Sequence, residues 1–245
     1  MPVHDWTRVD AGTFHDFHCG WITHLKERLN DGLLPSGFYA MSEQWAGPFI
    51  ADVLTLQTPS SPPLADNSGI AVAETPPRTR RKLTVSSGAR ALRRTLTIRH
   101  AGGHRIVALV EIISRANKDR PAHIAEFAEK VVAALWHGIH VVLVDLIPPG
   151  LHDPRGMHGA VWERFDDEPY ALPQDEPLTL ASYVGGPYIG GPLPVAYVEH
   201  LAIGSPLPET PLFLDPERYI NLPLEPTYLA AYRGMPAFWR DVLEA

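Results

Sequence analysis

Apolar residues recur along this chain with the period of a helix in two long segments. Over residues 14–30 they return every three or four positions, which predicts an amphipathic helix capped by Thr13. Over residues 121–137 the same spacing follows a proline, a residue well tolerated in the first turn, and a glycine marks the end. Two short helices are also predicted near the end of the chain, starting at Pro226 and Pro236.

Five shorter segments have the composition and alternation of β-strands. Residues 38–45 and 49–57 are predicted to pair across a Gly-Pro turn, and residues 94–100 to pair with 105–113 across Ala-Gly-Gly. Residues 139–147 follow the second helix at once as another apolar strand. This order is typical of an α/β fold, so we expect a mixed sheet flanked by helices.

Proline is unusually frequent, at 25 of 245 residues, against an average usage of about 5%. Residues 58–82 form a Pro- and Ser-rich stretch with little apolar surface to bury, so we expect a mobile insertion. The Pro-rich region that follows residue 147 still carries apolar side chains, and we expect it to wrap the core as extended chain. The predicted organisation is an α/β core over residues 1–147 and a C-terminal extension over residues 148–245 packed on it.

One acid, Glu111, stands inside an otherwise apolar strand. Residues 106–113 are rich in β-branched side chains, as in a central strand covered on both faces. A carboxylate in such a place is costly unless it is paired, protonated or bound to a metal. Glu111 therefore needs a partner, and the nature of that partner bears directly on function.

One possible partner is a metal ion shared with other acids. Asp52 starts an earlier predicted strand, and Glu43 lies in the strand before it. Carboxylates that converge from neighbouring strands suit a hard cation such as Mg²⁺ or Mn²⁺, which could polarise a phosphodiester and activate water. Taken alone, Asp52 is better explained as a residue that caps a strand after a turn.

A lysine could also be the partner, or could assist a metal by stabilising negative charge. Lys118 follows the strand directly, and Lys130 lies on the next helix. Structural alternatives remain open for each. Glu111 could bridge to Lys118, Lys130 or Arg99 as a buried structural acid, Lys130 could snorkel from the edge of its helix, and Asn117 with Lys118 could form a capped turn.

The order of elements and acids resembles the PD-(D/E)XK nuclease superfamily, also called the restriction-endonuclease-like fold. Asp52 matches the acid that opens one strand of that pattern, and Glu111 matches the acid of the acid-x-Lys triplet in the next. The triplet here reads Glu-Ile-Ile, so the usual lysine is missing, and Lys130 occupies a position from which some branches supply it. Asp145 matches an acid that often ends the last core strand. The resemblance implies a divalent-metal nuclease, with DNA or another phosphodiester as substrate.

A second resemblance covers nearly the whole chain and is to a bacterial domain-of-unknown-function family, number 4058. Residues 110–118, Val-Glu-Ile-Ile-Ser-Arg-Ala-Asn-Lys, match its recurrent strand and depart from it at Arg115, where proline is usual. Further family-like segments lie at residues 17–18, 34–39, 138–145, 206–208 and 221–225. This resemblance implies a shared fold and a bacterial origin, and it supplies no substrate.

Charge and cysteine content narrow the class of protein. A formal net charge of −7 argues against broad, nonspecific nucleic-acid binding. The single cysteine, Cys19, excludes an internal disulfide and suits the cytosol. No apolar run is long enough to span a bilayer, and the first residues lack the features of a signal peptide, so we expect a soluble cytoplasmic protein.

The 12 histidines include groups with spacings near those of metal ligands. These groups are His15 with His18 and Cys19, His100 with His104, and His137 with His140. A helical pair alone is half a zinc site at most, so structural or surface roles are the preferred interpretation. His18 lies on the core side of the first helix and could approach the acids.

Two functions are therefore compatible with the sequence. The first is a Mg²⁺-dependent phosphodiesterase with a degenerate site, in which Asp52 and Glu111 hold the metal and Lys130 or Lys118 stabilises charge. The second is a catalytically silent nuclease-fold module for binding or scaffolding. The retained acids favour the first, whereas the missing lysine and the negative net charge favour the second.

Overall fold

The computed structural model describes residues 3–45, 93–186 and 195–245. A single turn of 3-10 helix, Trp6–Arg8, precedes the regular elements. The first helix ends in a turn at Leu29–Leu33, where Asp31 and Gly32 leave helical backbone angles. The helices are α1 (Ala11–Arg28), α2 (Arg115–Lys118), α3 (Pro121–Trp136), α4 (Gly156–Trp162), α5 (Leu224–Arg233) and α6 (Ala237–Glu244). The strands are β1 (Phe38–Trp45), β2 (Arg93–His100), β3 (Ile106–Ile112), β4 (His140–Asp145), β5 (Leu178–Val184), β6 (Val195–Leu201), β7 (Thr210–Phe213) and β8 (Tyr219–Leu222).

Six of the strands form one mixed sheet in the order β1-β2-β3-β4-β5-β6. Every neighbouring pair is antiparallel except β3 and β4, which are parallel. A parallel pair needs a crossover connection, and here residues 113–139, with α2 and α3, supply it. The prediction of a mixed α/β sheet flanked by helices is confirmed, and so is the hairpin of β2 with β3.

Side chains of the central strands point alternately to two separate apolar cores. In β3, Val110 and Ile112 belong to the core that contains residues of α1 and α5, whereas Leu109 belongs to the core that contains residues of α3 and α4. All seven residues of β3 are buried, as are all six of β4. The central strands therefore have no solvent-facing side, which explains their nearly continuous apolar sequence.

The C-terminal part of the chain contributes to this sheet as well as to its cover. We expected residues 148–245 to wrap the core as extended chain, but β5 and β6 lie inside that range and extend the sheet beyond β4. Two terminal helices are present, α5 beginning two residues before Pro226 and α6 directly after Pro236.

One sequence-based prediction needs correction, and two others lie outside the described residues. The first helix begins at Ala11 and is capped by Asp10, whose carboxylate accepts hydrogen bonds from the amides of Gly12 and Thr13, so the predicted cap at Thr13 was wrong. The predicted strand over residues 49–57 and the predicted insertion over 58–82 lie outside the described residues. Among the residues that the structure describes, no helix is long and apolar enough to cross a membrane.

The junction between β5 and the start of β4 depends on a glycine. A Cβ atom added to Gly185 would lie 2.5 Å from the carbonyl oxygen of Ile139, closer than real Cβ contacts allow. The Gly185 amide also donates to Nδ1 of His140 at 3.0 Å. The backbone therefore passes Ile139 at a distance that leaves no room for a side chain.

We expect Gly185→Ala to lower the free energy of unfolding by about 1–3 kcal/mol, because the added methyl group forces the two backbones apart. The matched control is Gly20→Ala in α1, where the added atom meets only the Ala231 side chain at 3.8 Å. That variant should be neutral or gain up to about 1 kcal/mol from helix propensity. Urea denaturation of the three proteins tests this, and equal stability of Gly185→Ala and the wild type would contradict the close approach.

Candidate functional site

Glu111 has a basic partner on α3, the helix that packs on this face of the sheet. Its side chain lies on the same face of β3 as Leu109, and the residue is 5% exposed. The ammonium of Lys130 lies 2.6 Å from Oε1 of Glu111 and donates to the hydroxyl of Thr95 at 3.2 Å. Of the partners open from the sequence, the structure brings Lys130 to Glu111.

Glu43 also has a basic partner, on the neighbouring strand. Arg99 donates from Nε to Oε1 of Glu43 at 2.7 Å and from Nη2 to Oε2 at 3.1 Å. The Thr97 hydroxyl donates to Oε1 at 2.9 Å, and Nη1 of Arg99 donates to the carbonyl of His104 at 2.6 Å. A two-point guanidinium–carboxylate pair of this kind is strong and geometrically specific, so it holds Glu43 firmly in place.

The two acids belong to one transverse row of the sheet. Glu43 pairs with Thr95 across β1 and β2. Thr95 precedes Leu96, whose partner is Val110, so Thr95 is directly opposite Glu111. The backbones at Glu43 and Glu111 are therefore two strands apart, roughly 10 Å across the sheet. The residue between them is Thr95, which is not an acid. Asp52, the other predicted ligand, lies outside the described residues.

Lys118 lies in a separate cluster, at the carboxyl end of β4. Its ammonium is 2.8 Å from Oδ2 of Asp145 and 3.0 Å from Oδ2 of Asp153, and it donates to the carbonyl of Ile147. Asp145 accepts in addition from the amide of Met157 at 3.2 Å. We call Lys118, Asp145 and Asp153 the loop anchor, because they tie the chain between β4 and α4 to the crossover.

Burial dominates the electrostatics of the loop anchor. The three side chains are almost fully buried. Burial raises the pKa of Asp145, and the Lys118 ammonium opposes this shift. Asp145 and Asp153 therefore depend on the positive charge of Lys118 to offset the cost of burying their negative charges.

The residue before Lys118 has a local structural role. Oδ1 of Asn117 accepts from the amide of Ser114 at 2.9 Å and from its hydroxyl at 2.8 Å. This closes the turn that follows β3, as the capped-turn alternative predicted. The Ser-x-x-Asn-Lys segment thus fixes the end of β3 with its asparagine and the end of β4 with its lysine.

A buried histidine–tyrosine network lies on the α4 side of the sheet. Nδ1 of His158 is 2.5 Å from the Tyr183 hydroxyl, and its ring lies edge-on to Tyr170 with centroids 4.5 Å apart. The Tyr170 hydroxyl is 2.7 Å from Nε2 of His200. Burial lowers the pKa of His158 to about 4 and raises that of the Tyr183 hydroxyl, so both groups are neutral near pH 7. Sequence reasoning missed this network because its members share no motif or spacing.

Comparison with known proteins gave no match: neither a family model, nor a curated protein, nor a solved structure matches this chain.

The loop anchor leads to a prediction about Lys118→Met. We expect this variant to lose about 3–5 kcal/mol of stability at pH 7, because it leaves two buried acids without their cation. Lys26→Met, at a partly exposed position of α1, is the matched control and should change stability by less than about 0.5 kcal/mol. Denaturant melts of both variants measure the difference, and equal losses would show that Lys118 is not needed to compensate the acids.

Two buried histidines lead to a prediction about pH. Burial lowers the pKa of both His140 and His158 to about 4, from an ordinary 6.5. The unfolded chain therefore binds more protons between these values, and stability must fall as pH falls from 6.5 towards 4. The expected slope is up to about 1.4 kcal/mol per pH unit for each histidine. Replacing both with asparagine should flatten the dependence measured by denaturation at a series of pH values, whereas replacing the more exposed His24 should not.

Proposed function

We propose that this protein is a catalytically silent binding or scaffold module built on a nuclease-like mixed α/β sheet. One observation carries the proposal. Each acid in the described part of the predicted site already has a cation of its own: Lys130 beside Glu111 and Arg99 beside Glu43. A hard divalent cation needs carboxylates that converge on one point. Glu43 is on β1 and Glu111 is on β3, so strand β2 separates the two acids.

The described residues therefore do not by themselves fit Mg²⁺ or Mn²⁺. To take part in such a site, Glu111 would have to give up a short charge-assisted hydrogen bond and leave the Lys130 ammonium poorly compensated. Thr95, the residue between the two acids, offers a hydroxyl and no negative charge. The Glu111–Lys130 pair is better explained as a support that fixes α3 on the sheet.

A second candidate is the Mg²⁺- or Mn²⁺-dependent phosphodiesterase acting on DNA or a related substrate. Its support is the position of Lys130, which lies beside Glu111 although it comes from the helix after the strand. The PD-(D/E)XK resemblance implies that arrangement for a displaced lysine. This function requires Asp52 as a metal ligand together with Glu111.

Thermal melts with and without Mg²⁺ or Mn²⁺ distinguish the two functions. For the silent module we expect no metal-dependent change in Tm. Glu111→Gln should lower stability by about 3 kcal/mol, because Lys130 loses its partner, which for a chain of this size corresponds to roughly 6–12 °C in Tm. Glu129→Gln, an exposed acid one residue before Lys130, is the matched control and should behave as the wild type.

A double variant separates a structural pair from a metal site more sharply. Glu111→Gln with Lys130→Met should lose less stability than the two single losses added together, because neither charge is then left alone. The silent-module proposal is overturned if Mg²⁺ or Mn²⁺ raises Tm in the wild type and Glu111→Gln removes that increase. Metal-dependent cleavage of DNA that disappears in Glu111→Gln and Asp52→Asn would establish the second candidate instead.

A further inference from the structure

Three side chains with metal-binding atoms lie together on one side of α1, away from the acids described above. His18 and Cys19 follow His15 by three and four residues, so both are its neighbours on the helix. One ligand atom from each lies within 4.8 Å of the other two. We propose that these residues bind Zn²⁺, or a similar borderline-soft ion, with one coordination position open.

The separation of the first two ligand atoms suits a shared zinc ion. Sγ of Cys19 is 3.6 Å from Nε2 of His15. With Zn–S of about 2.3 Å and Zn–N of about 2.0–2.1 Å, a tetrahedral angle places sulfur and nitrogen about 3.6 Å apart. A hydrogen bond from the thiol to the imidazole has a similar length, so the third residue decides between the two explanations.

His18 is held in the orientation and tautomer that a ligand needs. Its Nε2 lies 3.0 Å from the carbonyl oxygen of Ile112, which can only accept, so Nε2 carries the proton and Nδ1 of the neutral ring keeps a lone pair. Histidine ligands in proteins usually donate their other ring nitrogen to a carboxylate or backbone carbonyl in this manner. His18 is also 5% exposed, so packing fixes its ring.

The chemistry of the three groups selects the metal. A thiolate and two imidazoles suit Zn²⁺ and other borderline or soft ions, whereas Mg²⁺ prefers oxygen. His15 is exposed and Cys19 is partly exposed, which gives an ion a path of entry. Catalytic zinc sites have this arrangement, in which the protein supplies three ligands and the fourth position is left to water or substrate.

This site is independent of the acids in the proposed function. Ile112 belongs to the core on the α1 face of the sheet, and Glu111 points to the opposite face. Binding of zinc to α1 and binding of magnesium at Glu111 can therefore be distinguished, because each responds to a different metal and to different substitutions. Failure of one test leaves the other unaffected.

Cobalt provides a direct test, because Co²⁺ bound by a thiolate gives a near-ultraviolet charge-transfer band. We expect the reduced, chelator-treated protein to develop this band up to one equivalent of Co²⁺, and Zn²⁺ to displace the cobalt. Cys19→Ser should abolish the band, and His15→Ala should weaken Zn²⁺ binding by more than about tenfold, at least as much as loss of an outer-shell partner. His24→Ala, which replaces the third histidine of the same helix, is the control and should bind as the wild type.

The role of His18 is tested without replacing a buried side chain. In the zinc-loaded wild type, ¹⁵N NMR of the imidazoles should show Nδ1 of His18 bound to metal and Nε2 still protonated. The proposal is overturned if no band appears, if Cys19→Ser retains it, or if the His18 nitrogens do not respond to one equivalent of Zn²⁺. Glu129→Gln, the exposed control on α3, should leave all three readouts unchanged, and loss of binding in that variant would likewise contradict the assignment.

Discussion

The fold depends on how the crossover between β3 and β4 is fastened to strands that are buried on both sides. A parallel pair has no hairpin to fix its register, so the connection itself must be held over the sheet. Here the crossover carries two lysines, Lys118 at the end of α2 and Lys130 on α3. Lys130 contacts Glu111 on β3, and Lys118 contacts Asp145 at the end of β4. The connection is thus bound by charge to both of the strands that it joins.

These contacts act through the cost of breaking them more than through any net gain on forming them. Burying a cation and an anion together roughly balances desolvation against attraction, whereas removing one partner leaves a charge that the interior cannot solvate. An α3 helix shifted by one turn would separate Lys130 from Glu111, and apolar packing alone would tolerate that shift better. The ion pairs therefore specify one placement of the crossover. A buried acid is therefore poor evidence for catalysis, because specifying the fold is a sufficient role for it.

The sequence predicted the parts of this structure that depend on local pattern. Helical spacing located α1 and α3 to within a few residues, and apolar runs located β3 and β4. Burial alone predicted that Glu111 needs a partner. It did not predict which residue that partner is, because Lys118 and Lys130 are on separate helices whose orientation depends on tertiary packing. Strands β5 and β6 were missed because glycine and proline around residues 185–194 suggested irregular chain. The His158–Tyr183 contact was unpredictable for a related reason, since it joins a helix to a strand 25 residues away.

Two adjacent residues of β3 show how one strand can serve two kinds of chemistry. The Glu111 side chain points towards α3 and contacts an ammonium. The Ile112 carbonyl accepts a hydrogen bond from an imidazole of α1, which lies on the other side of the sheet. On one face of the sheet, the carboxylate oxygens of Glu43 and Glu111 are paired with arginine and lysine. On the other face, the nitrogen and sulfur atoms that could bind a metal are grouped on α1. Because hard and borderline ions differ in the ligands they prefer, we expect a response to Mg²⁺ to come from the acids and a response to Zn²⁺ to come from α1. The acid pattern of the sequence suggested a nuclease metal site, whereas in the described residues it is the α1 face that carries three metal-binding side chains within reach of one another.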